Sequence, residues 1–159
     1  MVKKARIHTI LQNNLELHKS IRELGGYYLS LLFYVNHHIR TIDFKVKDVN
    51  EYYYLFVKMD YLDKNSLTKS PCLILEYFVF IRPHCRYERV LNPVGEHDFT
   101  IFEVYIDSLD TVHYIAKRGR TTLYDSRDMA SREIKYRNVS KRVFSYLSIN
   151  ARKTHSLFS

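Results

Sequence analysis

Tryptophan is absent from this 159-residue chain, and glycine and proline are scarce, at four and three residues. So little glycine rules out a Gly-rich phosphate loop, a nucleophile elbow and a low-complexity linker. With 46% hydrophobic residues the chain is also too apolar to stay unfolded. Cysteine occurs only as Cys72 and Cys85, which excludes a disulfide framework and any zinc motif built on Cys-x-x-Cys pairs. No apolar run reaches membrane-spanning length; the longest, Tyr27 to Val35, is interrupted by Ser30. Lys3, Lys4 and Arg6 lead into His8, Thr9, Gln12, Asn13 and Asn14, so no apolar signal-peptide core is present. These absences predict a single cytoplasmic domain over residues 1–159 that does not associate with membranes.

Acidic residues are nearly missing from the last third. From Thr111 onward, eleven Lys and Arg face only Asp125, Asp128 and Glu133, and this segment carries the whole formal charge of +8. Residues 1–110 are neutral. A neutral body joined to a cationic C-terminal segment is the electrostatic footprint of a polyanion binder, whether the polyanion is nucleic acid or an acidic protein surface. Lys117, Arg118, Arg120, Arg127, Arg132, Lys135, Arg137, Lys141 and Arg142 are the candidate phosphate contacts.

Periodicity supplies the fold class. Ile7, Ile10, Leu11, Leu17, Ile21 and Leu24 recur at helical spacing, and Gly25-Gly26 follows as a stop, which predicts a helix over Arg6 to Leu24. From Tyr27 to Ile106 the chain breaks into short runs rich in Tyr, Phe, Ile, Val and Leu. Alternation at Ile42 to Val46 and at Tyr52 to Tyr61 predicts strands, with a helix capped near Asp48 as the alternative for the second run. Leu73 to Arg82 reads as another strand. At a rise of about 3.3 Å per residue, that strand holds Cys72 and Cys85 too far apart to bridge, so both thiols are expected reduced. Thr100 to Asp107, Val112 to Lys117 and Thr121 to Tyr124 complete the strands. Met129, Tyr136, Val143 and Leu147 fall on one helical stripe with Val139 and Phe144 beside it, predicting a long basic C-terminal helix in which Ile134 has no place. The class is α+β, a mostly antiparallel sheet of about five to seven strands between an N-terminal and a C-terminal helix.

Three further groups bear on chemistry. With fourteen tyrosines and nine phenylalanines available, Tyr52, Tyr54 and Phe56 beside Lys58 are candidates for stacking on unpaired bases. His84, Arg86 and Glu88 hold the acid, base and cation that a metal-independent ribonuclease needs. His37-His38 and His84 show no metal-ligand spacing, so neither a metal nor a cofactor is expected. Val104-Tyr105-Ile106 with His113-Tyr114-Ile115-Ala116 resembles the two-strand core of the GIY-YIG nucleases, but Glu103 and Ala116 stand where that family has glycines, and no membership follows. The tyrosine-rich composition resembles that of compact viral accessory proteins. Taken together, these features predict a small intracellular nucleic-acid-binding protein without catalytic activity, regulatory in character. The alternatives are an inhibitor or adaptor docking an acidic partner and, third, the ribonuclease.

Overall fold

The computed structural model describes residues 6–95 and 98–146 and has an α+β architecture. Four α-helices come first: α1 (Lys19–Leu24), α2 (Gly26–His38), α3 (Val46–Lys58) and α4 (Pro71–Val79). Five strands follow: β1 (His84–Glu88), β2 (Phe99–Ile106), β3 (Thr111–Arg118), β4 (Thr121–Tyr124) and β5 (Arg137–Ser145). They form one antiparallel sheet in the order β1-β5-β2-β3-β4. The helices cover one face, where Ile101, Ala116 and Phe144 join the main core. On the other face Phe102, Val104, Ile106 and Ile115 form a smaller cluster with Met129, covered in part by Val90, Ile134 and Tyr136 from connecting segments. Among the described residues no helix is long and apolar enough to cross a membrane.

Several of the expected strands are helices. α2 is buried almost all round, from Gly26 to Asn36 with only Phe33 partly open, so it lacks the apolar stripe that would have marked it. A short apolar run of this kind does not distinguish helix from strand by periodicity. In α3 the buried residues are Val49, Tyr53 and Phe56, a helical spacing hidden beneath apparent alternation. Asp48 does help to start α3, as the third residue whose carboxylate accepts the Lys45 N–H at 3.0 Å. Pro71 opens α4 with its fixed φ, and Phe80 closes it in the left-handed region at φ 61°. Cys72 and Cys85 therefore do not flank a strand.

The helices expected at the two ends are also revised. At the N-terminus only Ile7–Thr9, as a 3₁₀ turn, and α1 are helical. The Ile7 N–H donates to Asn36 Oδ1 and the Gln12 N–H to the Ser126 carbonyl, so tertiary bonds replace the helical ladder between them. No long basic C-terminal helix exists through residue 145. Asp128 (φ 51°) and Glu133 (φ 55°) break the chain into turns, and Arg137 to Ser145 then pair with both β1 and β2. β5 is exposed from Arg137 to Val139 and then buried or half-buried at every residue from Ser140 to Ser145, with both faces covered, so it does not alternate cleanly. The helical stripe was a coincidence of spacing: Met129 and Val143 are buried, but in different elements, and Ile134 packs on the second cluster. Leu147, Arg152 and Lys153 lie outside the described residues.

Gly26 joins the layers. A Cβ there would stand 2.6 Å from Nδ1 and 2.7 Å from Cε1 of His113, whose ring is buried. Gly26→Ala is expected to cost about 2 kcal/mol through overpacking. Chemical denaturation reads this directly, and an unchanged midpoint would show that the His113 ring can yield.

Candidate anion-binding pocket

Alternation along neighbouring strands places Thr100 and Phe102 of β2, Lys117 of β3 and Lys141 of β5 on the face away from the helices. Phe102 pairs with Lys141 across β2 and β5. Around them is a cavity of about 580 Å³, walled by Val90 to Gly95 on the β1–β2 connection and rimmed by Arg118, Gly119 and Arg120. Gly119 (φ 59°) takes the left-handed conformation of the two-residue β3–β4 turn and so presents both arginines at the mouth.

The two lysines are 94% or more buried but are satisfied differently. Lys141 Nζ donates to the Val90 carbonyl at 3.1 Å and to the Asn92 carbonyl, tying the cavity wall to the sheet. Lys117, only 6% exposed, has its ammonium 5.0 Å from the centroid of the Phe102 ring and 5.5 Å from that of Tyr136. No carboxylate or carbonyl among the described residues accepts from it. Arg118 and Arg120 are exposed and likewise without an ion pair there. Asp98, the one acid among the described lining residues, accepts from Arg86 Nη2 and from the Gly95 N–H, both at 3.1 Å. Among the described residues the cavity thus holds positive charge with no paired acid beside apolar wall, an arrangement suited to an anionic group carrying a flat or apolar body.

The remaining described cations of the segment lie elsewhere. Arg127 Nη2 donates to the Glu23 carbonyl at 3.0 Å, and burial lowers its pKa. Arg132 reaches the Arg127 carbonyl, and Arg137 pairs with Asp107 over the Tyr105 ring. Arg142 points to the helix side, 3.1 Å from Glu103 Oε2 and against the rings of Tyr27, Tyr87 and Tyr114. Lys135 is exposed and does not share a surface with Arg142.

Tyr52, Tyr54 and Phe56 lie on α3 rather than on the sheet. Phe56 is fully buried, Tyr52 packs on Phe44 and Phe78, and Tyr54 alone is open to solvent. Arg86 and Glu88 pair with each other at 2.6 Å, whereas His84 is exposed and hydrogen-bonds neither.

One buried constellation escaped the sequence reading. His113 Nε2 lies 2.8 Å from Asp125 Oδ1, and Asp125 also accepts the backbone N–H groups of Arg127 and Met129, both at 3.0 Å. Burial lowers the His113 pKa against the pull of Asp125, so the ring is neutral and donates through Nε2–H. Asp125 is itself lowered: burial opposes its charge, but His113 and the two backbone donors outweigh it. The sequence carried a trace of the inward lysine, since Lys117 falls in phase with His113 and Ile115 along β3.

The class defined by this fold and site is an α+β protein with a cationic pocket on the open face of an antiparallel sheet. The chain belongs to the family described as protein of unknown function, DUF261, whose model matches residues 8–146. Neither the curated proteins nor the solved structures contain a match.

Proposed function

We propose that this protein binds nucleic acid without cleaving it, by taking a phosphate and its nucleoside into the pocket. The observation that carries this reading is Lys117, a residue only 6% exposed whose ammonium has no carboxylate or carbonyl acceptor among the described residues, beneath a mouth flanked by Arg118 and Arg120. A phosphate oxygen would give that ammonium the charge-assisted partner it lacks, and the two guanidinia suit forked contacts to the same or the next phosphate. Phe102 and the wall at Val90 and Pro93 offer apolar surface to a sugar or base. The cavity volume falls within the usual range for small-ligand sites, so it accommodates one residue of a strand while the rest runs over the rim.

The test is binding of a labelled oligonucleotide across a salt series. Affinity should fall steeply with ionic strength, and each phosphate contact removed should reduce the log–log slope by about 0.7–0.9. Charge reversal at Arg118 and Arg120 is expected to weaken binding of all sequences alike. Charge reversal at Arg142, which is committed to Glu103, serves as the contrast and should act on stability instead. Absence of binding at low ionic strength would sink the proposal, and salt-sensitive binding of an acidic protein in its place would favour the adaptor.

A further inference from the structure

Among the described residues, the cations that line the pocket exceed what one phosphate inside a strand can neutralise. Lys117, Arg118 and Arg120 have no acidic partner there, and Lys141 is held by the neutral carbonyls of Val90 and Asn92. Asp98 in the wall shares Arg86 with Glu88, at 3.1 and 2.6 Å, so this trio leaves a single negative charge against the four cations. We propose that the pocket takes the terminal phosphate of a nucleic-acid strand, a phosphomonoester, in preference to a phosphodiester within the strand. The inference rests on the nucleic-acid reading above and narrows it to strand ends.

Burial and charge favour the same ligand. Lys117 is 6% exposed and Lys141 2%, and their ammonium groups stand 5.0 and 6.0 Å from the centroid of the Phe102 ring that they share. Positive charge thus gathers at the most buried part of the lining, which is the phosphate's end of the pocket. A phosphodiester carries a nucleoside on each side, and for its phosphate to reach Lys117 both would have to enter a space of about 580 Å³. A terminal phosphate instead leads the way in, followed by one nucleoside, and the strand leaves past Arg118 and Arg120 at the rim. The terminal group also brings a charge of roughly −1.5 to −2 at neutral pH and three acceptor oxygens. A phosphodiester brings one charge and two free oxygens, and so leaves more of the cationic lining without a counter-charge.

The whole chain is titrated with one internally labelled single-stranded oligonucleotide that is 5′-phosphorylated, 3′-phosphorylated, hydroxyl-ended or circular. A phosphate at one end should tighten binding about tenfold or more over the hydroxyl-ended and circular forms, which should bind alike. Lys117→Met should abolish that preference, and the wild-type series decides alone if the variant fails to fold. Equal affinity for all forms would overturn the inference while leaving nucleic-acid binding intact. Binding of none of them at low ionic strength would overturn both. A nucleoside monophosphate that binds as tightly as the phosphorylated strand would overturn the inference too, because the strand would then add nothing to recognition.

Discussion

Asp125→Ala should destabilise the protein by about 4 kcal/mol, the largest single loss we expect from one side chain. The carboxylate accepts three hydrogen bonds, from His113 Nε2 and from the N–H groups of Arg127 and Met129. Bonds to a charged acceptor contribute roughly 1.5–3 kcal/mol each, and removing the acceptor leaves three donors with partial or no compensation. A loss of that size is a large fraction of a domain's total stability of about 5–15 kcal/mol. The effect should spread to the pocket face, because Met129 is part of the cluster that includes Phe102. Asp125→Asn keeps the shape and an acceptor for His113, so it should lose roughly half as much.

The same pair sets a pH dependence. His113 in the folded protein is depressed below its ordinary 6.5, so the unfolded chain takes up the proton first. Its contribution is complete above about pH 6.5 and drains as pH falls toward the folded value. Asp125 is depressed as well, so its contribution is present above the ordinary carboxylate range and is lost as pH falls through its folded value. Both terms have one sign. Urea midpoints should decline steadily from about pH 7 downward, and Asp125→Ala should remove the more acidic part of the decline. A midpoint unmoved by the substitution at neutral pH would show that the constellation is not holding the turn.

How much of this was legible in the sequence depends on which element is considered. β2, β3 and β4 were visible because their alternation is regular and a tight turn with Gly119 stands between two of them. α2, α3 and α4 were hidden by composition: Tyr, Phe, Val and Ile favour strands when exposed on one face, and here they fill helices because the layer beneath the sheet needs bulk. β5 was hidden by its charges. Lys141 and Arg142 are adjacent in sequence and inward on opposite faces, each held by partners from remote segments, Val90 and Asn92 for one and Glu103 for the other. No local pattern announces such pairs. The cations of the pocket could therefore be named from sequence as basic residues, but their division into clamp, floor and rim could not, since it depends on which carbonyl or ring each one meets.

Lys117 gives the other large expected effect, and the sign of its stability change separates binding from structure. Lys117→Met preserves length and apolar volume while removing the charge. A lysine retained for packing would lose stability in this exchange, because its attraction to the rings of Phe102 and Tyr136 disappears. A lysine retained for a ligand behaves differently. Lys117 is only 6% exposed and its ammonium has no carboxylate or carbonyl acceptor among the described residues, so partial desolvation is set against two ring faces that return roughly 1–2 kcal/mol each. Methionine should thus leave the urea midpoint unchanged or raise it. Affinity for an oligonucleotide should fall by about ten- to a hundredfold, the share of a single charge-assisted bond. Arginine at the same position retains the charge but not the fit, and should recover part of the affinity while destabilising the pocket face through overpacking. Binding and denaturation measured on the same preparations decide the matter: loss of stability with affinity intact would make Lys117 a structural residue and remove the observation on which the binding reading stands.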